Sequence, residues 1–350
     1  MNRNSTNFKT GQEPTDGPPE IPKVSVVIPV YNAAGSIRET LESVFAQTDS
    51  RFEVLIINDG SPDTEQLEQV IKPYLEKITY IKQPNAGAAV ARNAGIRKSR
   101  GEIIAFLDAD DVWDPEYLAS QVEFLEVGGF GMVYCDADLF GTPSVIGKSF
   151  MEGSPSSGEV TVEALLDLRC NVITSGTIVK KSVVEAAGAF ENERVLSEDF
   201  HLWVRIAQRG ERIGYQRKRL LKYRVTVDGL SGHAVNRVER AIDVFKRLER
   251  DLDLTHEQRE ILERRVAGFE ADLEMEKGKV FLVSGNFEMA RHSFREANLR
   301  RRSLKLATIS VMLRLFPRLV LKLYQTKNAD EIAFVHKLQR ASASQISQKI

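Results

Sequence analysis

Three carboxylates in four residues, Asp108-Ala109-Asp110-Asp111, are the sharpest chemical feature of the sequence. Side chains alternate along an extended chain, so Asp108 and Asp110 point to one side. They close an apolar run, residues 102–108, that reads as a buried strand, where bulk water neutralises charge poorly. A hard divalent cation with oxygen ligands suits such a pair. Held there, it can bridge phosphate oxygens and stabilise a departing diphosphate. The plainer alternative is an acidic turn that leads into a helix at Asp114-Pro115.

Other residues fit a nucleotide chemistry. In Asp59-Gly60-Ser61, the carboxylate can accept from a nucleobase N–H, and Gly60 lets backbone approach a flat ring; an ordinary β-turn is the alternative. Asn85-Ala86-Gly87 and Ala91-Arg92-Asn93 flank a helix start, from which the Arg92 fork can reach a base or a phosphate, unless it is a solvated surface arginine. Glu198-Asp199 opens a further helix. A carboxylate there is ordinarily a cap, but it can also serve as a general base for an attacking hydroxyl. Trp203 can stack on an acceptor sugar or be core, and Trp113, beside the acidic cluster, is a second candidate acceptor ring.

The elements that must position these residues alternate in type. Short apolar runs at 24–31, 52–59 and 102–108 read as buried strands, and 78–83 as a further strand between them. Amphipathic helices at 36–47, 64–75 and 88–99 separate them, with Ser36 as N-cap of the first. Strand–helix alternation with short links implies βαβ units in a doubly wound, mostly parallel sheet, whose ligands bind beyond the carboxyl ends of the strands. Tyr31-Asn32, Asp59-Gly60-Ser61 and Asp108 to Asp111 lie there. Further on, the pattern predicts helices at 117–125, 162–168, 181–188 and 197–210, and strands at 131–140 and 174–179. Residues 141–159, rich in Gly, Ser and Pro, read as a loop or lid. From 234 onward the periodicity is helical: 234–252, 255–284, 287–301 and 304–324, the last split at Pro317. Gly285, Ala290, Phe294 and Ala297 give the 255–301 hairpin a tetratricopeptide flavour, but one copy is no array.

Composition narrows the classes. The chain has 350 residues, 42% hydrophobic and 28% charged, ordinary for a globular protein. Two cysteines are too few for a disulfide framework or a four-ligand zinc site and read as buried thiols in a reducing compartment. The net charge is −1 but uneven: residues 1–200 hold 17 Lys+Arg against 31 Asp+Glu, and 201–350 hold 31 against 18. The later basic residues are interleaved with acids at helical spacing, which argues against a nucleic-acid partner. Residues 1–22 read as a disordered lead without a secretory h-region, and no apolar run spans a membrane. Arg314, Arg318 and Lys322 form a cationic stripe on the apolar 304–324 segment, which then either meets a membrane interface or packs as core. These features imply a cytoplasmic protein, with peripheral contact at the inner face of the cell membrane through 304–324.

The blocks VSVVIPVYNAAGSIRETLESVFAQT, FEVLIINDGSPD, NAGAAVARNAG, GEIIAFLDADDVW and SEDFHLWVRIA together resemble the family-2 inverting glycosyltransferases of the GT-A fold, over about residues 23–230. The resemblance implies an α/β GT-A domain over 23–232 (a nucleotide-binding half, 23–111, and an acceptor half, 112–232), followed by a helical region, 233–326, and a polar tail, 327–350. It implies that Pro29, Tyr31, Asn32 and Gly87 line the donor site, that Asp59 contacts the base and that Arg92 contacts base or diphosphate. Asp108 and Asp110 correspond to the family's Asp-x-Asp, with Asp110 on Mg²⁺ or Mn²⁺. Asp199 corresponds to the base, with Glu198 beside it. Arg224 corresponds to a basic position near the diphosphate, and His233 to a metal or phosphate contact, although a surface histidine in a Gly/Ser loop is the plainer reading. The implied reaction moves a sugar from a nucleotide-diphospho-sugar, most often a UDP-sugar, to a hydroxyl of a glycan or lipid-linked acceptor, as in cell-surface polysaccharide biosynthesis. The family's processive Gln-x-x-Arg-Trp block is lacking. A Rossmann dehydrogenase would need G-x-G-x-x-G after the first strand, where P-V-Y-N-A-A-G stands. The remaining alternatives are a nucleotidyltransferase and a non-catalytic nucleotide-sugar-binding or scaffold protein on the same fold.

Overall fold

The computed structural model describes residues 21–191, 197–226 and 234–327. Its first half follows the apolar runs: β1 (Val24–Val30), α1 (Ile37–Phe45), β2 (Phe52–Asp59), α2 (Thr64–Ile71), β3 (Ile78–Gln83), α3 (Ala88–Lys98) and β4 (Ile103–Phe106). Four strands run parallel in the order β3-β2-β1-β4, with Val24 of β1 beside Phe52 and Ile103. The order reverses between β1 and β4, and the strand ends there open a crevice.

The second half completes the sheet. β5 (Val112–Trp113) and α4 (Tyr117–Val127) precede β6 (Met132–Phe140), α5 (Phe150–Gly153), α6 (Val162–Leu166), β7 (Thr177–Lys180), α7 (Lys181–Ala186), α8 (Glu198–Gln208) and β8 (Ile213–Arg224). The eight-stranded order is β3-β2-β1-β4-β7-β6-β8-β5, and β7 runs antiparallel to both neighbours. The sheet is therefore mixed. Two strands were not foreseen: the two-residue β5 and the 12-residue β8, which pairs parallel with β6 and antiparallel with β5. The 141–159 segment carries α5, and an isolated bridge joins Ser149 to Asp138.

Alternation along the strands divides the interior. Val27, Leu55, Ile57, Ile104 and Phe106 face one cluster, with α8 residues Leu202–Val204; Val26, Ile28, Val54, Ile56 and Ala105 face the other, with α1 and α4. Beyond the sheet lie α9 (Ala234–Asp251), α10 (His256–Val283), α11 (Phe287–Arg301), α12 (Leu304–Leu315) and α13 (Pro317–Lys327). Val244, Phe245, Leu248, Ile261 and Leu262 join the first cluster, so α9 and the start of α10 share the sheet's core. A separate cluster starts only at Leu282, with Ala290, Phe294, Ala297, Leu306 and Leu313. Thr255 and Gln258 form a capping box on α10. Ser36 makes no side-chain cap on α1; its hydroxyl donates to the Ala109 carbonyl instead. Both cysteines are free and buried. Among the described residues, no helix is long and apolar enough to cross a membrane.

Candidate active site

The carboxyl ends of β1, β2 and β4 present their loops side by side, and the loops brace one another. Asn32, at φ 53°, donates its N–H to Ser61 Oγ at 2.6 Å, and Ala34 donates to Asp63 Oδ2 at 2.8 Å. The hydroxyls of Ser36, just before α1, and of Thr40 within it donate to the carbonyls of Ala109 and Asp111 at 2.9 Å each. Gly60 sits at φ +63°, and a Cβ there would lie 2.6 Å from Asn85 N. Only glycine lets the β2 and β3 loops touch.

Asp59 is buried and serves that same junction. Its Oδ1 accepts from Gln83 Nε2 (2.7 Å) and Ala86 N (2.8 Å), and its Oδ2 accepts from Gly87 N (2.7 Å). An ionised carboxylate offers about four acceptor sites, so one direction remains. Gly87 turns the chain into α3 at φ 96°. Tyr31 stands exposed at the crevice mouth and Pro29 is half-buried at the end of β1.

Arg92 corrects an expectation. It is neither a solvated helix arginine nor free to reach a donor. It is 5% exposed, and its two terminal nitrogens donate to Glu198 Oε1 and Asp108 Oδ1 at 2.7 Å each. The cause lies in α3. Its residues are small, Gly95 allows no Cβ beside Val27, and the helix sits tight on the sheet with its arginine beneath the crevice. Burial alone would lower the Arg92 pKa, but the charges of Asp108 and Glu198 hold it raised. Burial likewise raises the Glu198 pKa, against the pull of Arg92. Removing one member of a buried pair leaves an uncompensated charge, at a cost of about 3–5 kcal/mol. Arg92→Met therefore destabilises the fold by about that amount in urea unfolding. Arg92→Met combined with Glu198→Gln recovers part of it, and full additivity would refute the bridge.

Asp108 and Asp110 lie half-buried at the crevice, and the Asp110 carboxylate takes no hydrogen bond from another described residue. Burial and the neighbouring Asp108 charge push the Asp110 pKa up, against Arg224. This pair has acceptor oxygens and too little neutralising charge, so the residues present fit a divalent cation. Asp111 does not belong to that pair. It is buried, its Oδ1 accepts the Arg224 backbone N–H at 2.8 Å, and burial, then Asp108, raise its pKa well above normal. Arg224 is likewise turned inward on the acidic loop. Its Nε donates to the Asp110 carbonyl at 2.7 Å, its other end pairs with Glu39, and its guanidinium lies 4.2 Å from the Phe140 ring centroid.

Asp199 is the second residue of α8, whose N-cap Ser197 takes a left-handed φ of 61° and makes no side-chain cap. Asp199 Oδ1 accepts the Phe200 N–H at 2.7 Å, and Oδ2 accepts from Thr174 Oγ1 at 2.6 Å. Thus Asp199, 91 residues beyond Asp108, follows directly on the residue that Arg92 ties to the Asp108 strand end. Trp203 and Trp113 are corrections. Both rings are buried, Trp203 against Phe106 and Phe190, Trp113 stacked on Tyr117 with its Nε1 on the Ser175 carbonyl, so neither offers a face to an acceptor. His233 lies outside the described residues. Thr174, Ser175, whose Oγ accepts the Asp108 N–H at 3.1 Å, and Glu39 were not foreseen. Their spacing to the carboxylates carries no sequence signal.

A second group of carboxylate and imidazole atoms gathers behind α8: Glu191, His201 and Asp251. Arg247 pairs with Glu191, and Arg205 Nε donates to His201 Nδ1 at 3.2 Å, so cations already occupy this network. Burial lowers the His201 pKa against the pull of Glu191 and Asp251. A depressed folded-state pKa means that protonation favours unfolding, so stability present above about pH 6.5 is lost as pH falls towards the folded value. The urea midpoint of the native chain drops more between about pH 7.5 and 5.5 than that of His201→Gln. Equal drops would show that His201 contributes nothing to the acid sensitivity.

Residues 25–174 match the family model described as Glycosyl transferase family 2. The chain is 29% identical over 227 residues to an uncharacterized glycosyltransferase of Rickettsia prowazekii, covering 64% of this chain and 70% of that one. It is 38% identical over 133 residues to the succinoglycan biosynthesis protein ExoW of Rhizobium meliloti, covering 37% and 40%. Three longer Rickettsia relatives are covered over only 29–31% of their length. The structure of a mannosyltransferase from Pyrobaculum calidifontis, in complex with GDP-Man and Mn²⁺, superposes with a TM-score of 0.59 at 20% identity, covering 93% of this chain and 89% of that one. That likeness is one of fold.

Proposed function

We propose a reaction from the premise that the chain belongs, through residues 25–174, to the family-2 glycosyltransferases. It moves a sugar from a nucleotide-diphospho-sugar to a hydroxyl of a glycan or lipid-linked acceptor, with inversion at the anomeric carbon. The observation that carries this reading is the Arg92 bridge, which ties the Asp108 strand end to the Glu198-Asp199 helix start. A carboxylate pair suited to a diphosphate's counter-ion and a carboxylate suited to a proton thereby share one crevice.

Asp108 and Asp110 are the residues that would hold Mg²⁺ or Mn²⁺, and a cation bound there supplies charge neutralisation to a diphosphate. The rest falls to side chains of this chain. Asp59 holds the 84–87 loop and keeps one acceptor direction for a base N–H. Tyr31 offers an exposed ring beside it. The braced loops fix donor orientation before reaction, which lowers the entropy lost in reaching the transition state. The acceptor oxygen attacks the anomeric carbon from the face opposite the diphosphate; the new C–O bond forms as the bond to the diphosphate oxygen breaks. The hydroxyl proton passes to Asp199, which Thr174 orients. One-step displacement inverts the centre. Buried unpaired thiols suit a reducing, cytoplasmic setting. The kinship with a succinoglycan biosynthesis protein supports a polysaccharide pathway.

The test is incubation of the full chain with UDP- and GDP-sugars, with and without Mn²⁺ and with candidate glycan acceptors. Nucleoside diphosphate release and the anomeric configuration of the product are read by NMR. Metal-dependent release with an inverted product is expected. A retained configuration would refute the single displacement, and donor binding without turnover on any acceptor would favour a binding protein.

A further inference from the structure

The α12–α13 pair ends the described chain with one side used and one side left over. Leu306 and Leu313 are buried in the third apolar cluster, and Ile309, Val320, Leu321 and Tyr324 pack against it. The outward row is also apolar: Leu304, Val311, Leu315, Phe316, Leu319 and Leu323, between 47% (Leu319) and 87% (Leu304) exposed. A soluble helix normally turns its polar side outward. These two helices instead expose a row of large apolar side chains, of the kind that marks an interaction surface.

Charge tells what the strip faces. Residues 297–329 contain eight Lys and Arg and no Asp or Glu. Arg300 and Arg301, at the end of α11, pair with Glu270 and Asp272. Lys305, Arg314, Arg318 and Lys322 are exposed, and none makes an ion pair with a described residue. Arg318 and Lys322 lie four residues apart on α13, where like charges repel, and Arg314 lies in the last turn of α12, just before the break. Such a stripe is held at a cost in water, and a negative surface relieves it. Helices of 12 and 11 residues are too short to cross a bilayer, whose core needs about 20. Pro317 breaks them at an N1 position, leaving Phe316 at the outward bend.

We propose that α12 and α13 dock in the plane of an anionic lipid bilayer. Leu315, Phe316, Leu319 and Leu323 enter the acyl boundary, and Arg314, Arg318 and Lys322 reach the head groups on their long stems. A second copy fits less well, because a two-fold contact would set identical cations against each other. A nucleic acid would pair with the cations and leave the apolar row wet. The proposal does not depend on the donor, acceptor or chemistry of the crevice, so it stands or falls apart from the reaction.

The full chain is sedimented with phosphatidylcholine vesicles and with phosphatidylcholine–phosphatidylglycerol vesicles. Pelleting with the anionic vesicles alone is expected, and raising salt from about 0.1 M to about 0.5 M weakens it by shortening the screening length. Arg314→Gln/Arg318→Gln/Lys322→Gln and Phe316→Ser/Leu319→Gln/Leu323→Gln change only outward positions. Each set lowers the partition coefficient at least about tenfold while melting temperature and helix content stay unchanged. Absence of pelleting, equal pelleting with neutral vesicles, or variants that pellet like the native chain would each overturn the proposal. So would a concentration-dependent dimer, seen in sedimentation equilibrium, that these substitutions abolish.

Discussion

Asp199→Asn leaves the protein folded, binding donor and metal as before, with turnover lowered by about 10²–10⁴. The acceptor hydroxyl must lose its proton as the new bond forms, and an amide cannot take it. The structure makes the substitution sharp. Asp199 Oδ1 accepts the Phe200 N–H, a bond an amide oxygen also makes, and Thr174 can turn its hydroxyl to accept from the new NH₂. Stability therefore changes little, since Asn supports a helix start about as well as Asp. The measurement is single-turnover transfer alongside melting temperature. A folded, fully active Asp199→Asn protein would leave this carboxylate as a helix-end residue only and the proposed displacement without its base.

Asp110→Asn acts on the other end of the reaction. Loss of the charged ligand removes several kcal/mol of charge stabilisation, and turnover falls by about 10³-fold or more. The metal-free fold behaves in the opposite sense. Burial and Asp108 already raise the Asp110 pKa, so a neutral amide relieves that repulsion. The variant without metal melts at or above the native temperature. Mn²⁺ raises the melting point of the native chain and not of the variant, because a ligand stabilises only the state that binds it. Equal Mn²⁺ shifts together with unchanged turnover would remove Asp110 from the site.

The inner strands were legible because each is short, β-branched and apolar, and because their links end in Asp, Asn and Gly where strand ends open a crevice. β8 was not. Its sequence, IGYQRKRLLKYR, reads as charged, because the stretch Arg217–Arg219 points to solvent between the buried Ile213 and the buried Leu220 and Leu221. The acidic cluster and the Glu-Asp helix start were found by residue type. Arg92 was identified too, but its partner was not, since no pattern within α3 announces a carboxylate 106 residues away. The tryptophans failed for a related reason: an aromatic ring near polar residues in sequence says nothing about which face of an element it occupies. Burial is a tertiary property: Trp203 is core because Phe106 and Phe190 pack on it, and Trp113 because Tyr117 stacks on it and β8 pairs beside it.

The hydrogen bond from the Arg224 backbone to Asp111 spans 113 residues, and the ion pair from Arg224 to Glu39 spans 185. As the chain leaves the ribosome, β1 to β4 can form a parallel sheet with all four site loops in place. The acidic loop still lacks the strand that caps it until residue 224 has emerged. Closing contacts at such separation comes late, after the local βαβ units have formed. The acidic loop is thus synthesised early but completed last, when β8 has joined the sheet and residue 224 reaches Asp111.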